Sequence, residues 1–154
     1  MLVEGQLAPD FTLHDQDGQP VTLSALRGSP VVLYFYPRDA TPGCTTEACD
    51  FRDANAVLAR AGAKVLGVSP DTVASHRKFA DKQALDFTLL ADPDKAAIQA
   101  YGVWKEKTLY GKTSMGVERT TFVIDGQGVI RKIFPKVRVA GHVGNVLEVV
   151  NGLK

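Results

Sequence analysis

Cysteine is scarce in this sequence: Cys44 and Cys49 are the only two thiols among 154 residues. Two cannot staple a disulfide scaffold, and they are too few for a structural zinc site. A surplus of either charge is also missing. Lysine and arginine number 18 against 17 acidic residues, for a formal charge of +1, so no electrostatic ground exists for nucleic acid or an anionic membrane as the main partner. No apolar run approaches the ~20 residues that a bilayer span requires. The opening MLVEGQLAPDFTL carries an early Glu4 and no basic stretch followed by an apolar core, so no secretory leader is read there and a cytoplasmic protein is expected. Repeats, low-complexity tracts and Pro/Gly/Ser linkers are absent too, which leaves residues 1–154 as a single domain. What remains is 45% hydrophobic and 23% charged, the balance of a globular chain with a full core.

Hydrophobic patterning places the elements. FTLH and PVTL, joined by Asp15–Gln19, predict an N-terminal β-hairpin, with Asp17-Gly18 supplying the positive-φ step. Pro30–Tyr36 is a continuous run of β-formers without alternation, which predicts a central strand buried on both faces. Pro37 ends it. After the loop RDATPG, a helix is expected from about Cys44 to Arg60, with Phe51, Ala54, Val57, Leu58 and Ala61 on one face and Gly62 as its stop. KVLGVS is a second buried strand. Ser69-Pro70-Asp71 opens a helix to about Gln83 that turns Val73, His76, Phe79 and Ala80 to one side. FTLLAD reads as a third strand, and Asp92-Pro93-Asp94 caps a short helix to about Tyr101. A hairpin over Thr120–Ile124 and Val129–Phe134 precedes a last helix from about Gly144 to Val150. The order β-α-β-α, then β-β-α, implies an α/β fold with a mixed central sheet flanked by helices.

The chemistry gathers at Cys44. The pattern Pro37-x-x-x-Thr41-x-x-Cys44 spans the end of a buried strand and the start of a helix, where free amides and the positive end of the helix dipole favour an anion. A free thiol has a pKa near ~8.5, and lowering it by a unit or more leaves mostly the nucleophilic thiolate at neutral pH. Pro37 and Pro42 stiffen the loop, Gly43 permits close approach of a small ligand, and the Thr41 hydroxyl both donates and accepts. A thiolate that attacks an O–O bond needs fixed donors for the departing oxygen. Arg119, just ahead of the strand TTFVI, is the candidate, being permanently charged and planar. Cys49 lies five residues beyond Cys44. An intact helix holds their Cα atoms about ~8–9 Å apart, whereas a disulfide needs less than about ~7 Å. The spacing therefore predicts a redox switch, helical as the dithiol and locally unwound as the disulfide.

Taken together, G-x-x-A-P-D-F-T-L, YFYPRDATPGCTTEACDFRD, GVSPD, FTLLADPD, YGVW and ERTTFVID resemble a peroxiredoxin of the Q type, the group of bacterioferritin comigratory protein. The resemblance covers nearly the whole chain. It implies a thioredoxin-like fold with the hairpin added at the N-terminus, and reduction of hydrogen peroxide and organic hydroperoxides in antioxidant defence. It also implies that Cys44 is the peroxidatic cysteine, with Pro37, Thr41 and Arg119 completing its site. Cys49 is then the resolving cysteine of an atypical two-cysteine cycle, recycled by thioredoxin or a similar dithiol protein. Such a cycle runs through a sulfenic acid and a disulfide without metal, flavin or haem. A monomer is expected.

Three other readings compete. A general thiol–disulfide oxidoreductase prefers Cys-x-x-Cys, where both sulfurs bond without unwinding. A copper carrier would use soft thiolates with a histidine, but His14, His76 and His142 are scattered and are read as surface or helix-end residues. A redox sensor would share the first chemical step. Trp104 is assigned to packing, and the basic cluster Arg131, Lys132, Lys136 and Arg138 to a solvated strand face.

Overall fold

The computed structural model describes residues 2–153. The N-terminal hairpin is β1 (Thr12–Asp15) and β2 (Pro20–Thr22). Its turn is tied by the Asp15 carboxylate, which accepts from the Asp17 and Gln19 amides at 2.9 Å each. A short 3-10 turn (Leu23–Leu26) leads to β3 (Val31–Phe35), all five residues of which are buried. Then follow α1 (Pro42–Arg60), β4 (Lys64–Ser69), α2 (Val73–Gln83), β5 (Thr88–Ala91) and the short α3 (Ala96–Ala100). β6 (Trp104–Leu109) and β7 (Lys112–Val117) form a separate two-stranded sheet. β8 (Thr120–Ile124), β9 (Ile130–Phe134) and α4 (His142–Asn151) complete the chain.

The main sheet has the order β2-β1-β5-β4-β3-β8-β9. β3, β4 and β5 are parallel, as crossover helices require. The hairpins β1–β2 and β8–β9 join antiparallel on either side. Alternation along β3 splits the core. Val32, Tyr34 and Tyr36 meet α1, α2 and α4 on one face; Val31, Leu33 and Phe35 meet Ala97 and Ile98 of α3 and the N-terminal segment on the other. Both outer edges are short or occupied. β2 has three residues and begins with Pro20. Along β9, the Gly5 amide donates to the Ile130 carbonyl at 2.7 Å, and the Ile130 amide to the Gln6 carbonyl at 2.8 Å. No described helix is long and apolar enough to cross a membrane.

The elements follow the sequence pattern with five differences. Helix α1 starts at Pro42, two residues early, because proline at the first helical position lacks only an amide that would be unpaired anyway. Val57 on that helix faces outward, and Ala48 is buried in the apolar stripe instead. Thr72 rather than Ser69 or Asp71 caps α2, its hydroxyl accepting from the Ser75 amide at 3.2 Å. The last helix begins at His142, and the hairpin β6–β7 was not foreseen. Of the histidines, His142 opens α4 as a helix-end residue, while burial corrects the expectation of a surface position for His76. His14 is exposed, but His76 has no exposed surface and His142 is 4% exposed. Hydrogen bonds make this burial tolerable: both ring nitrogens of His76 find partners, Asp39 and the Leu90 carbonyl, and Nε2 of His142 meets the Thr121 hydroxyl.

Candidate active site

Strand β3 delivers the chain to the site. Its hydrogen-bonding continues to the Tyr36 amide, which donates to the Val68 carbonyl at 3.0 Å. Pro37 then offers no donor and the strand stops. In the loop that follows, Ala40 adopts a left-handed φ of 63°. Thr41 caps α1, its carbonyl accepting from the Thr45 amide at 2.8 Å. Three residues later, Cys44 occupies the first turn of the helix and is 2% exposed.

Arg119, in the link between β7 and β8, is the residue aimed at the sulfur. Its Nη2 donates to Cys44 Sγ at 3.3 Å and its Nη1 to Glu47 Oε1 at 2.6 Å. One planar guanidinium thus spans the Cys44 sulfur and a buried carboxyl, a geometry that lysine cannot reproduce. Gly43 makes the approach possible, since a Cβ there would stand 3.3 Å from Nη2. The glycine admits the arginine, where the sequence suggested room for a ligand.

Glu47 was not singled out from the sequence. It sits three residues after Cys44 on the apolar stripe of α1, and a charge on such a stripe is the signal that could have found it. The side chain is fully buried, and Oε2 has no hydrogen-bond partner. Burial pushes its carboxyl up to about 7, against the pull of Arg119, with Asp50 adding slightly to the rise. Beneath the site lies Tyr34, stacked on Phe51 at 4.6 Å and on Tyr36 at 5.4 Å. Burial, then the charges of Glu47 and Cys44, hold its phenol well above its ordinary range, so it stays protonated. Its hydroxyl also lacks a partner. Nearby His142 is pushed down to about 4 by burial and by Arg119, so its ring is neutral at neutral pH.

Of the residues expected at the site, Cys44 and Arg119 touch directly. Thr41 stands at the helix start with its hydroxyl donating to the Arg38 carbonyl at 3.0 Å, which leaves the oxygen lone pairs able to accept. Pro37 is half-buried just past the end of β3. Cys49 is half-buried on the same unbroken helix, its Sγ 3.5 Å from Gln83 Oε1, and both cysteines are free thiols. Neither cysteine belongs to the one cluster of potential metal ligands among the described residues, Asp39, Asp71 and His76. Both ring nitrogens of His76 are already bonded. The arrangement suits a solitary nucleophilic sulfur beside a fixed cation, and a second sulfur that reaches it only when the helix opens.

Comparison with known proteins gives this geometry its context. The AhpC/TSA family matches residues 4–133. Peroxiredoxin Bcp of Bacillus subtilis is 47% identical over 149 residues, covering 97% of this chain and 95% of its own length. Among solved structures, the bacterioferritin comigratory protein of Xanthomonas campestris, described for alkyl peroxide reduction, superposes with a TM-score of 0.89 at 43% identity, covering 93% of this chain and 91% of that one. A cysteine-to-serine mutant of Xylella fastidiosa PrxQ superposes with a TM-score of 0.94 at 35% identity, covering 99% and 98%. Agreement of this kind over almost the full length of both partners is shared descent, and the chain belongs to the AhpC/TSA family, within its Bcp or Q-type peroxiredoxins.

Proposed function

We propose that the protein is a thiol-dependent peroxidase that reduces hydrogen peroxide and organic hydroperoxides at Cys44 in antioxidant defence. The carrying observation is the Arg119 fork, 3.3 Å from the Cys44 sulfur and closed on Glu47 at the other side. A fixed cation there favours the anionic sulfur and meets the charge that grows on the departing oxygen. The thiolate attacks the terminal peroxide oxygen: the S–O bond forms, the O–O bond breaks, and the alkoxide or hydroxide leaves as it takes up a proton. Thr41, with free lone pairs at the mouth of the helix, is suited to accept the hydrogen of the incoming peroxide, while Pro37 keeps the loop stiff.

Cys44 is now a sulfenic acid, and Cys49 attacks its sulfur to give the disulfide and water. Both residues lie within α1, so that step requires its first turns to unwind. A thioredoxin-like dithiol then reduces the disulfide by exchange. The same reading keeps the enzyme a monomer of the cytoplasm, the first from its resemblance to the Q type. Peroxide consumption with thioredoxin, thioredoxin reductase and NADPH tests the cycle. Turnover is expected in the parent, none in Cys44→Ser, and one oxidation that stalls at the sulfenic acid in Cys49→Ser. A Cys49→Ser protein that still cycles under thioredoxin would remove Cys49 as the resolving residue, and a parent inert with every dithiol would end the peroxidase reading.

A further inference from the structure

Outside the sulfur chemistry, the molecule buries a second pair of ionisable side chains. Those of His76, in the first turn of α2, and Asp39, in the loop ahead of α1, are 0% and 3% exposed. His76 Nε2 lies 2.9 Å from the Leu90 carbonyl oxygen, and Nδ1 lies 2.7 Å from Asp39 Oδ2. A carbonyl can only accept, so Nε2 carries a hydrogen. Nδ1 faces an oxygen that already accepts from the Ser75 hydroxyl at 2.8 Å, while Oδ1 accepts from the Tyr36 hydroxyl at 2.6 Å. Burial works to raise the Asp39 carboxyl, but His76, Tyr36 and Ser75 outweigh it and hold the group below its ordinary value. Both nitrogens of the ring thus face oxygens, one of a carboxyl held below its ordinary value and one of a backbone carbonyl.

The position of this pair in the chain matters more than its burial. The Asp39 amide donates to Asp71 Oδ2 at 2.8 Å, and the Ser69 hydroxyl donates to that same oxygen at 2.6 Å. The next residue, Ala40, keeps a left-handed conformation that an alanine holds only under outside restraint. Thr41 and the helix bearing Cys44 follow at once. Beyond the cysteines, Arg52 Nη1 donates to the Gln83 carbonyl at 2.7 Å. Helix α2 thus grips the chain on both sides of the cysteines, at Asp39 by its first turn and at Arg52 by its last residue.

We propose that the buried Asp39–His76 ion pair is a positioning device for the peroxide site. It anchors loop 37–41 to α2, sets Thr41 and the first turn of α1 for the attack by Cys44, and stays closed while residues 40–51 rearrange to form the disulfide. The kinetic consequence rests on the peroxidase reading above; the state of the pair does not.

Two measurements test it. Nitrogen NMR of protein labelled at histidine is expected to show one ring protonated on both nitrogens, in the dithiol and disulfide forms alike, and lost in Asp39→Asn. A singly protonated His76, or a pair that breaks when the disulfide forms, overturns the proposal. In rapid-mixing oxidation by hydrogen peroxide, with Cys49→Ser as the parent, Asp39→Asn is expected to slow the second-order reaction of Cys44 by about tenfold or more. Ser75→Ala, which removes one bond to Asp39, is expected to slow it about threefold. An Asp39→Asn protein that melts cooperatively and reacts at the parental rate overturns the proposal. Should Asp39→Asn not fold, a parental rate in Ser75→Ala does the same. A parent that peroxide does not oxidise refutes the peroxidase reading instead, and the NMR result still decides the anchor.

Discussion

At Gly43 the helix and the site make opposite demands. Glycine in a helix costs about 0.5–1 kcal/mol relative to alanine, yet a Cβ here would press on Arg119 Nη2 at 3.3 Å. Gly43→Ala should therefore strengthen α1 by up to ~1 kcal/mol while shifting the guanidinium by a few tenths of an ångström. We expect an unchanged or higher melting temperature and an oxidation of Cys44 slowed about three- to tenfold, since misplacement of a fixed donor is felt steeply. Thermal melts and rapid-mixing kinetics check the two halves separately, and a parental rate would mean that the arginine tolerates the methyl group. Cys44 and Arg119 could be found in the sequence because each stands in a short motif with its own chemical logic. A charge on an apolar stripe marks Glu47 as out of place, but the roles of Glu47, Asp39 and His76 could not be read from the sequence. Their roles depend on partners 72 and 37 residues away, and only those partners make burial of a charge tolerable.

In the proposed cycle, helix α1 holds Cys44 still and then lets go of it. Glu47 lies between the two cysteines, on the part that unwinds in that cycle. Buried, its carboxyl sits at about 7; released to water, it returns to an ordinary value near ~4.3. A carboxyl raised in the closed state supports that state while protonated, below about pH 4, and withdraws the support as pH climbs through 7. Closure of the disulfide after oxidation should therefore quicken between about pH 5 and 7, and Glu47→Gln should flatten that rise. Taking the ratio of the two proteins cancels the thiol chemistry common to both, and parallel pH profiles would take Glu47 out of the control of unwinding. Most other elements were readable because burial on one or both faces writes a period into the sequence. Hairpin β6–β7 was not, because nearly all of Lys105–Met115 is exposed and carries no apolar pattern. Its one clear cue, Tyr110-Gly111 with both φ values positive, is the geometry of a tight hairpin turn.

The molecule as a whole keeps two apolar clusters, one on each side of β3. Opening the start of α1 takes Cys44, Ala48 and Phe51 out of the first and leaves the second untouched. Amide exchange should therefore speed up by about tenfold or more at residues 42–51 when the disulfide forms, while β3, β4 and α3 exchange as before. Acceleration across the sheet would mean that the two sides are not independent. The layered order was visible in the sequence from the unalternating run Val31–Tyr36, although which helix covers which face depends on contacts that no local pattern encodes. The sheet edges, finally, bear on what happens when many copies are oxidised together. A protein that bares core residues at each turnover is exposed to aggregation, and an open strand is the usual template. Here one margin ends in a three-residue strand headed by proline, and the other is already bonded to the chain's own beginning. Crowded, half-opened molecules can touch through their loosened helices, but the main sheet meets them with one proline-headed edge and one partly covered by the chain's own N-terminal segment.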